Sequence, residues 1–254
     1  MTVPGSRRTT RAAAVKRSID VYYRDTARTA RMDDFNRQFI SEGSLAFDIG
    51  AHVGDRTGSF VRLGARVVTV EPQPQIFRAL RLLYGHCDRV SLEQTGVGRQ
   101  IGTLQLHVNS ANPTVTTASE EMIENSKIAE AWQGQVWDQT ILVPVTTLDK
   151  LIDQHGLPDF TKIDVEGHEL AVLEGLSQPL PALSFEFTTI QRPVALACLD
   201  RLGALGTYEF NVSLGEAHVL RYDSWIDAKA MAATLEALPM AANSGDVFAR
   251  LTRP

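Results

Sequence analysis

The sequence predicts an α/β fold in which helices cover both faces of a mostly parallel, seven-stranded sheet. From Leu45 onward, short apolar segments alternate with segments of helical periodicity, which is the pattern of βαβ units. A loop with two glycines follows the first apolar segment, as expected where a ligand approaches the carboxyl end of a strand. Together these observations indicate a three-layer α/β sandwich.

The composition excludes several classes of protein. The chain has 254 residues, of which 44% are hydrophobic and 22% are charged, as in a globular domain with a substantial core. No apolar run approaches the roughly 20 residues that are needed to span a bilayer. The two cysteines, Cys87 and Cys198, lie far apart and form no metal-binding pair. We therefore expect a cytoplasmic protein in a reducing compartment, with no membrane partner and no structural zinc.

Residues 1–40 are predicted to form a helical arm in front of one domain at 41–254. Through Arg31 the arm carries eight Lys and Arg against two Asp, although the whole chain has a net charge of -5. A basic arm can contact nucleic acid or act as a transit peptide, but the acidic remainder argues against a nucleic-acid partner. We therefore expect a solvated helix that docks on the domain through an apolar stripe at helical spacing. The stripe consists of Val15, Ile19, Tyr22 and Tyr23.

Seven strands are predicted for the sheet, of which the last is antiparallel. These strands are Leu45–Ile49, Arg66–Val70, Val90–Gln94, Phe160–Val165, Ala182–Phe187, Tyr208–Val212 and Val247–Leu251. The predicted helices lie near Asp55–Leu63, Pro74–Leu83, Leu148–His155, His168–Leu176, Pro193–Leu205 and Ser224–Leu238. Two further strands, Gly102–Val108 and Ile141–Val145, flank a polar segment at 109–140 with a helical centre around Glu120–Trp132. Because long excursions in compact domains are usually functional or disordered, we interpret 109–140 as an inserted lid.

The loop after the first strand has the sequence Asp48-Ile49-Gly50-Ala51-His52-Val53-Gly54. Glycines after a buried strand let a ligand approach the backbone, but this spacing lacks the GxGxxG of dinucleotide-binding proteins. The Asp48 carboxylate would repel a pyrophosphate, whereas it would attract the sulfonium and ammonium groups of S-adenosylmethionine. The loop therefore favours S-adenosylmethionine, although an Asp that only caps the turn is an alternative.

Two further segments extend the predicted cofactor site. Glu71 ends the second strand, about 20 residues after Asp48, at the position from which a carboxylate reaches the ribose hydroxyls of a nucleoside. The segment Gln94–Gly96 after the third strand would lie beside an adenine ring, although loop chemistry alone explains it equally well. The predicted cofactor-binding residues are Asp48, Gly50, Ala51, His52, Val53, Gly54, Glu71, Pro72, Gln94, Thr95, Gly96 and Asp164.

Several segments together resemble the FkbM family of methyltransferases. They are Phe47–Gly54, Val70–Pro72, Thr147–Asp149, Lys162–Glu169 and Ser244–Arg250, of which Lys162–Glu169 is the most specific. The resemblance implies a Rossmann-like class I methyltransferase sheet with S-adenosylmethionine as the methyl donor and S-adenosylhomocysteine as the product. It also implies O-methylation of a hydroxyl on a sugar or natural product. The family usually has Asn where His52 stands, and its segment corresponding to 109–140 is usually shorter.

The fourth strand carries charges where a central parallel strand normally reads as a continuous apolar run. Lys162, Asp164 and Glu166 alternate with apolar residues. Pairing of Lys162 with Asp164 or Glu186 would be the structural explanation, since buried charges require partners. The functional explanation, which we prefer, is that this face opens into an active-site crevice.

Two further residues are candidates for general-base chemistry. Glu186 lies between two phenylalanines on the next strand, and carboxylates that share a poorly solvated cleft raise one another's pKa. His168 begins a helix whose dipole would keep it neutral, although a structural histidine is an equal alternative. The predicted catalytic residues are Lys162, Asp164, Glu166, His168 and Glu186. The oxygen ligands among them make a divalent metal conceivable, but no ligand spacing demands one, and we predict none.

The expected partner is a small-molecule or glycan acceptor, and the expected assembly is a monomer or a homodimer. Within the lid segment, Thr114, Thr116 and Thr117 offer hydroxyl contacts to such an acceptor. Trp132 and Trp137 offer an apolar wall, although packing explains both equally well. The alternative functions are an NAD-type oxidoreductase, which predicts the absent GxGxxG, and a non-catalytic nucleotide-binding domain.

Overall fold

The computed structural model describes the backbone of residues 4–252 and the side chains of residues 13–252. Its strands are β1 Leu45–Ile49, β2 Arg66–Val70, β3 Val90–Glu93, β4 Gly96–Val97, β5 Gly102–Val108, β6 Gln139–Thr146, β7 Phe160–Ile163, β8 Ala182–Thr188, β9 Tyr208–Leu214 and β10 Ser244–Leu251. Its α-helices are α1 Pro4–Tyr23, α2 Thr26–Asn36, α3 Asp55–Arg62, α4 Pro74–Tyr84, α5 Glu120–Ser126, α6 Leu148–His155, α7 Glu169–Glu174, α8 Arg192–Leu205 and α9 Ala228–Ala237.

The main sheet has seven strands in the order β3-β2-β1-β7-β8-β10-β9. The first five of these run parallel, whereas β10 is inserted between β8 and β9 and runs antiparallel to both. This arrangement confirms the predicted Rossmann-like sheet with an antiparallel last strand. The strand order reverses beside β1, and open α/β sheets bind ligands at such a point.

A second, three-stranded sheet has the order β4-β6-β5. Strands β5 and β6 are the two extra strands expected on either side of the polar segment, and they pair antiparallel. The two-residue strand β4 was interpreted from sequence as a loop, because Gly96 and Val97 are too few to form a recognisable pattern. They are in a sheet because their backbone pairs with Val145 and Thr146 of β6.

Several predicted boundaries differ from the observed ones. The fourth strand of the main sheet, β7, ends at Ile163 and not at Val165, because the chain turns where Glu166 and Gly167 adopt positive φ angles of 54° and 91°. Strand β10 begins at Ser244 and not at Val247, since its first residues already pair with β8 and β9.

Several predicted helices are shorter than expected, among them α7, which spans Glu169–Glu174 and not His168–Leu176. The last helix starts at Ala228 and not at Ser224, because Ile226 pairs with Phe210 and Asp227 caps the helix by accepting from the backbone N–H of Ala230. The helical centre of the lid segment consists of α5 followed by a separate 3-10 turn at Glu130–Trp132.

Alternate residues of β1 face opposite layers of the fold, as the two-residue period of a strand requires. Phe47 and its neighbours on this face pack with apolar residues of α6, α7, α8 and α9. On the other face, Phe35 of α2 and Phe60 of α3 pack against Phe160 and Phe248 of the sheet. Asp48 therefore points toward α3, which decides its hydrogen-bond partner.

The N-terminal helices dock on the sheet domain as predicted. Val15, Ile19, Tyr22 and Tyr23 are half-buried, and Ala14 beside them is 2% exposed. The Tyr23 hydroxyl donates to the Val53 carbonyl at 2.7 Å, which attaches α1 to the loop after β1. Helix α2 contributes Phe35 to the core of the sheet domain. The division of the chain at residue 40 stays a prediction.

Across residues 4–252, no helix combines the length and the apolar character that crossing a membrane would require.

We expect Phe160→Ala to lower the free energy of unfolding by about 3–5 kcal/mol, because a buried aromatic ring would leave a cavity. Phe160 is 2% exposed, and its ring stacks on Phe39 with 4.8 Å between centroids. Denaturant unfolding followed by circular dichroism measures the change. The control Leu82→Ala, at a side chain that is 84% exposed, should change stability by less than about 0.5 kcal/mol. Equal effects of the two substitutions would contradict the described packing.

Candidate active site

A cavity lies at the carboxyl ends of β1, β2, β7 and β8 and encloses about 1070 Å³, part of it open to solvent. Most of the predicted site residues line it. Of the predicted cofactor-binding residues, those on the cavity wall are Asp48, Gly50, Ala51, His52, Glu71, Pro72, Thr95, Gly96 and Asp164. All of the predicted catalytic residues line it as well, namely Lys162, Asp164, Glu166, His168 and Glu186.

Three predicted cofactor residues, Val53, Gly54 and Gln94, do not line this cavity. Val53 is fully buried beneath the loop, and the Gln94 side chain is exposed to solvent. Gly54 precedes α3 with a φ of 81°, and a Cβ there would lie 2.7 Å from the side chains of Leu80 and Tyr84. The glycine at 54 is thus required where α3 packs against α4.

Gly50 is required by the cavity itself. Its φ is 81°, and a Cβ at this position would lie 1.8 Å from the backbone carbonyl oxygen of Asp164. The loops after β1 and β7 therefore approach each other at their backbones, which any side chain would prevent. This contact brings the predicted cofactor loop beside the predicted catalytic strand.

Asp48 is 2% exposed, and its Oδ2 accepts a hydrogen bond from the Thr57 hydroxyl of α3 at 2.5 Å. Burial raises the pKa of the Asp48 carboxyl to about 6, although the Thr57 hydrogen bond opposes this shift. The interpretation of Asp48 as a residue that only caps its own turn is wrong, because its partner lies on the next helix.

Glu71 is 3% exposed and is therefore not an ordinary surface glutamate. Its two carboxylate oxygens accept from the backbone N–H groups of His52 at 3.0 Å and Gln73 at 2.7 Å. These bonds connect the loop after β1 to the turn after β2. Burial nevertheless raises the pKa of Glu71 to about 8. Asp48 and Glu71 thus face one cavity, as the cofactor prediction requires.

Lys162 is the cation beneath the acidic part of the cavity, and its side chain is 5% exposed. Its Nζ donates to Asp164 at 3.1 Å, as anticipated, and to Asp246 of β10 at 2.5 Å. Burial alone would lower the pKa of Lys162, but the two carboxylates outweigh it and raise the pKa above its usual range. Asp246 was missed among the candidate catalytic residues, although it lies in the segment 244–250 that carries the family resemblance.

Three carboxylates meet above Lys162. The candidate ligand oxygens of Asp164, Glu166 and Glu186 all lie within 4.8 Å of one another. Burial raises the pKa values of Glu166 and Glu186 well above the usual range, and the Asp164 carboxylate adds to both shifts. Among the described residues, Oε2 of Glu186 has no hydrogen-bond partner. Oxygen sets of this kind suit Mg²⁺, but protonation of the two glutamates also relieves their repulsion.

The turn between β7 and α7 fixes this cluster. Oε1 of Glu169 accepts from the backbone N–H groups of Val165 and Gly167, each at 3.1 Å, which holds Glu166 in its left-handed conformation. His168 lies directly before α7 and lines the cavity. Burial lowers its pKa, which is the direction expected for a histidine that stays neutral.

The polar segment 109–140 contributes only part of what was expected of it. Thr114 and Thr116 line the cavity, whereas the buried Thr117 hydroxyl donates to the Glu166 carbonyl at 2.5 Å. Neither Trp132 nor Trp137 lines the cavity, so the proposed aromatic wall is wrong.

Both tryptophans instead have structural partners. Nε1 of Trp132 donates to the Asn243 side chain at 3.1 Å, and Nε1 of Trp137 donates to the Val115 carbonyl at 2.8 Å. The apolar wall comes from Leu104 and Leu106 of β5. Sequence reasoning missed this role because β5 belongs to the second sheet, whose position relative to the cavity no local pattern indicates.

Four further charged or aromatic cavity residues lie outside every motif singled out from sequence as a binding site. They are Tyr22, Asp55, Arg56 and Glu216. Tyr22 was expected only to dock the arm, and its ring meets the His52 ring edge-on at 5.9 Å. Asp55 and Arg56 directly follow the glycine loop, which was the one available signal for them.

A family model described as the methyltransferase FkbM domain matches residues 48–195. The chain belongs to the FkbM methyltransferase family. The matched region contains the glycine loop and the three clustered carboxylates. Tyr22, Glu216 and Asp246 lie outside the matched residues.

Comparison with individual proteins identifies a distant relative of this FkbM protein. The chain is 23% identical over 155 residues to the hexuronic acid methyltransferase AglP of Haloferax volcanii, a match that covers 60% of this chain and 58% of the relative. Among solved structures, a precorrin-6y C5,15-methyltransferase from Geobacter metallireducens is similar at 12% identity and a TM-score of 0.45, covering 88% of this chain and 87% of that one.

A SAM-dependent O-methyltransferase from Thermotoga maritima is similar at 12% identity and a TM-score of 0.42, covering 88% of this chain and 65% of that one.

We expect Gly50→Ala to destabilise the protein by more than about 1–2 kcal/mol, the cost of the left-handed conformation alone, because the Cβ would also meet the Asp164 carbonyl. Gly203→Ala in α8 is the matched control. No atom lies within 4 Å of a Cβ at Gly203, so this substitution should raise stability by about 0.5–1 kcal/mol. Chemical unfolding measures both changes, and a neutral Gly50→Ala would refute the backbone contact.

Proposed function

We propose that this protein is an S-adenosylmethionine-dependent methyltransferase that methylates a hydroxyl group of a sugar or of another small polyhydroxylated molecule. The observation that carries the proposal is that two buried carboxylates, Asp48 and Glu71, line the same cavity as a glycine loop without the GxGxxG spacing. Membership of the FkbM family supports it independently.

The cavity residues fit this cofactor better than a dinucleotide. Gly50 lets the loop after β1 lie against the Asp164 backbone, which places Asp164 beside the proposed cofactor loop. The buried Asp48 carboxylate repels the phosphates of a dinucleotide, whereas a sulfonium and an ammonium group are attracted. Glu71 would hold the ribose hydroxyls, Asp48 and Asp164 would favour the positive charge, and Thr95 and Gly96 would border the adenine.

S-adenosylmethionine supplies an electrophilic methyl group, so the residues of this chain have to orient the acceptor and take up its proton. Methyl transfer is an in-line displacement, in which alignment of nucleophile, methyl carbon and sulfur is the main requirement. We assign the proton to the cluster of Asp164 and Glu186, in which the Lys162 ammonium lies 3.1 Å from Asp164. Glu166 and His168 border the same space.

The acceptor class is supported by the cavity wall and by one relative. Thr114 and Thr116 line the cavity together with the apolar Leu104 and Leu106, a mixed surface that suits a sugar ring, although the Thr116 hydroxyl already donates to Gln73 at 3.0 Å. The relative AglP is described as a hexuronic acid methyltransferase. A hexuronic acid is therefore the first acceptor to test, followed by neutral hexoses.

The proposal predicts binding of S-adenosylmethionine and S-adenosylhomocysteine, but not of NAD, in isothermal titration calorimetry. It also predicts transfer of a labelled methyl group to a hydroxyl of a hexuronic acid or hexose. The transfer assay is run both with and without a metal chelator. Binding of NAD in place of S-adenosylmethionine would overturn the assignment. Loss of turnover with chelator, and its recovery with Mg²⁺, would assign a cation to Asp164, Glu166 and Glu186.

We expect Glu186→Gln and Asp164→Asn each to lower kcat by about 10²–10⁴-fold, since general-base catalysis contributes roughly this factor. Burial raises the pKa of Glu186, and a base acts when ionised, so wild-type kcat/KM should rise with pH at values well above the usual titration range of a glutamate. This rise should disappear in Glu186→Gln. The control Glu236→Gln, at an exposed residue of α9, should keep the wild-type profile. Full turnover of both site variants would refute the proton route.

A further inference from the structure

An ion cluster closes one end of the cavity. Nη2 of Arg28 in α2 lies 3.1 Å from Oδ2 of Asp55 and 2.7 Å from Oε2 of Glu216. Arg56 contacts the same two carboxylates, at 2.8 Å from Asp55 and 3.0 Å from Glu216. The cluster thus joins the N-terminal arm, the start of α3 and the loop after β9. The positive charges of the two guanidinium groups balance the negative charges of the two carboxylates in this cluster.

Three of these side chains, Asp55, Arg56 and Glu216, also line the cavity, beside Tyr22. Asp55 and Arg56 are 12% and 15% exposed, whereas Glu216 is 49% exposed. Both carboxylates are held by two buried guanidinium groups, but only Glu216 reaches solvent from a loop. Glu216 is therefore the member of the cluster that can shift to admit a ligand.

The cavity needs a place for the charged end of the proposed cofactor. S-adenosylmethionine ends in an amino acid with one ammonium and one carboxylate, and buried charges require partners of opposite sign. Among the described residues that line the cavity, Lys162 and Arg56 are the two permanently charged cations. Lys162 is bonded to Asp164 and Asp246 beneath the acceptor region. Arg56 is paired as well, with Asp55 and Glu216, but Glu216 is 49% exposed and can shift, so Arg56 is the cation that a ligand carboxylate can reach.

We propose that Arg56 binds the carboxylate of the S-adenosylmethionine amino acid and that Asp55 and Glu216 bind its ammonium group. This inference rests on the proposed function, and it assigns residues of the N-terminal arm and of the loop after β9 a part in cofactor binding. Arg28 is a positioning residue, because its guanidinium group orients the carboxylates of Asp55 and Glu216. The same guanidinium lies 5.1 Å from the centre of the Tyr22 ring and so positions that ring as well. Tyr22 covers the bound amino acid.

The experiment compares two ligands that differ in the amino-acid part. S-adenosylhomocysteine carries it, whereas 5′-methylthioadenosine has a methyl group in its place. Calorimetry measures the affinity of the full chain for each of the two ligands. If 5′-methylthioadenosine binds too weakly for direct titration, its affinity is measured by competition against S-adenosylhomocysteine. Glu216→Gln and Asp55→Asn should weaken binding of S-adenosylhomocysteine by about tenfold or more, the usual size of a charge-assisted hydrogen bond. Binding of 5′-methylthioadenosine should change less than about twofold.

Glu209→Gln serves as the matched control, because Glu209 forms a surface ion pair with Arg250 away from the cavity. Thermal unfolding of each variant verifies its fold, and Arg56→Lys provides a second variant that keeps the charge but loses the paired hydrogen bonds. Equal losses for both ligands, or no loss for S-adenosylhomocysteine, would overturn the inference. Failure of the wild-type chain to bind S-adenosylhomocysteine would instead overturn the proposed function.

Discussion

The arrangement of the site depends on the ion pairs of Lys162. This buried ammonium bonds to Asp164 after its own strand and to Asp246 on β10, two strands away in the sheet. The sheet can therefore bury several carboxylates at the ends of its central strands, where isolated charges would be strongly destabilising. Without Lys162, Asp164 would face Glu166 and Glu186 with no neutralising partner on the strand.

Close backbone contact is the second requirement, and it connects the two halves of the cavity. Gly50 meets the Asp164 carbonyl, and Glu71 holds the loop after β1 through the His52 backbone. The proposed cofactor loop and the proposed proton acceptors are thereby fixed relative to each other. Alignment of donor and acceptor is the main task in methyl transfer, so this rigidity is what the proposed chemistry needs.

Parts of the chain outside the matched FkbM region complete the same cavity. Tyr22 comes from α1, and Glu216 comes from the loop after β9. The Tyr23 hydroxyl attaches the arm to the loop after β1. Arg28 attaches it to α3 and to the loop after β9 through its two ion pairs. The basic character of the arm is thus used in part for internal ion pairs.

The sequence by itself determined the strands of the α/β core, the glycine loop and the carboxylates of Lys162–Glu169, because periodicity and motif spacing are local properties. Tertiary structure alone decided that Asp246, Arg56 and Glu216 join the site, and that Val53, Gly54 and Gln94 do not line it. Asp246 is separated from Lys162 by 84 positions in the chain. Such pairs form only when strands are laid side by side, so no pattern within a short segment encodes them.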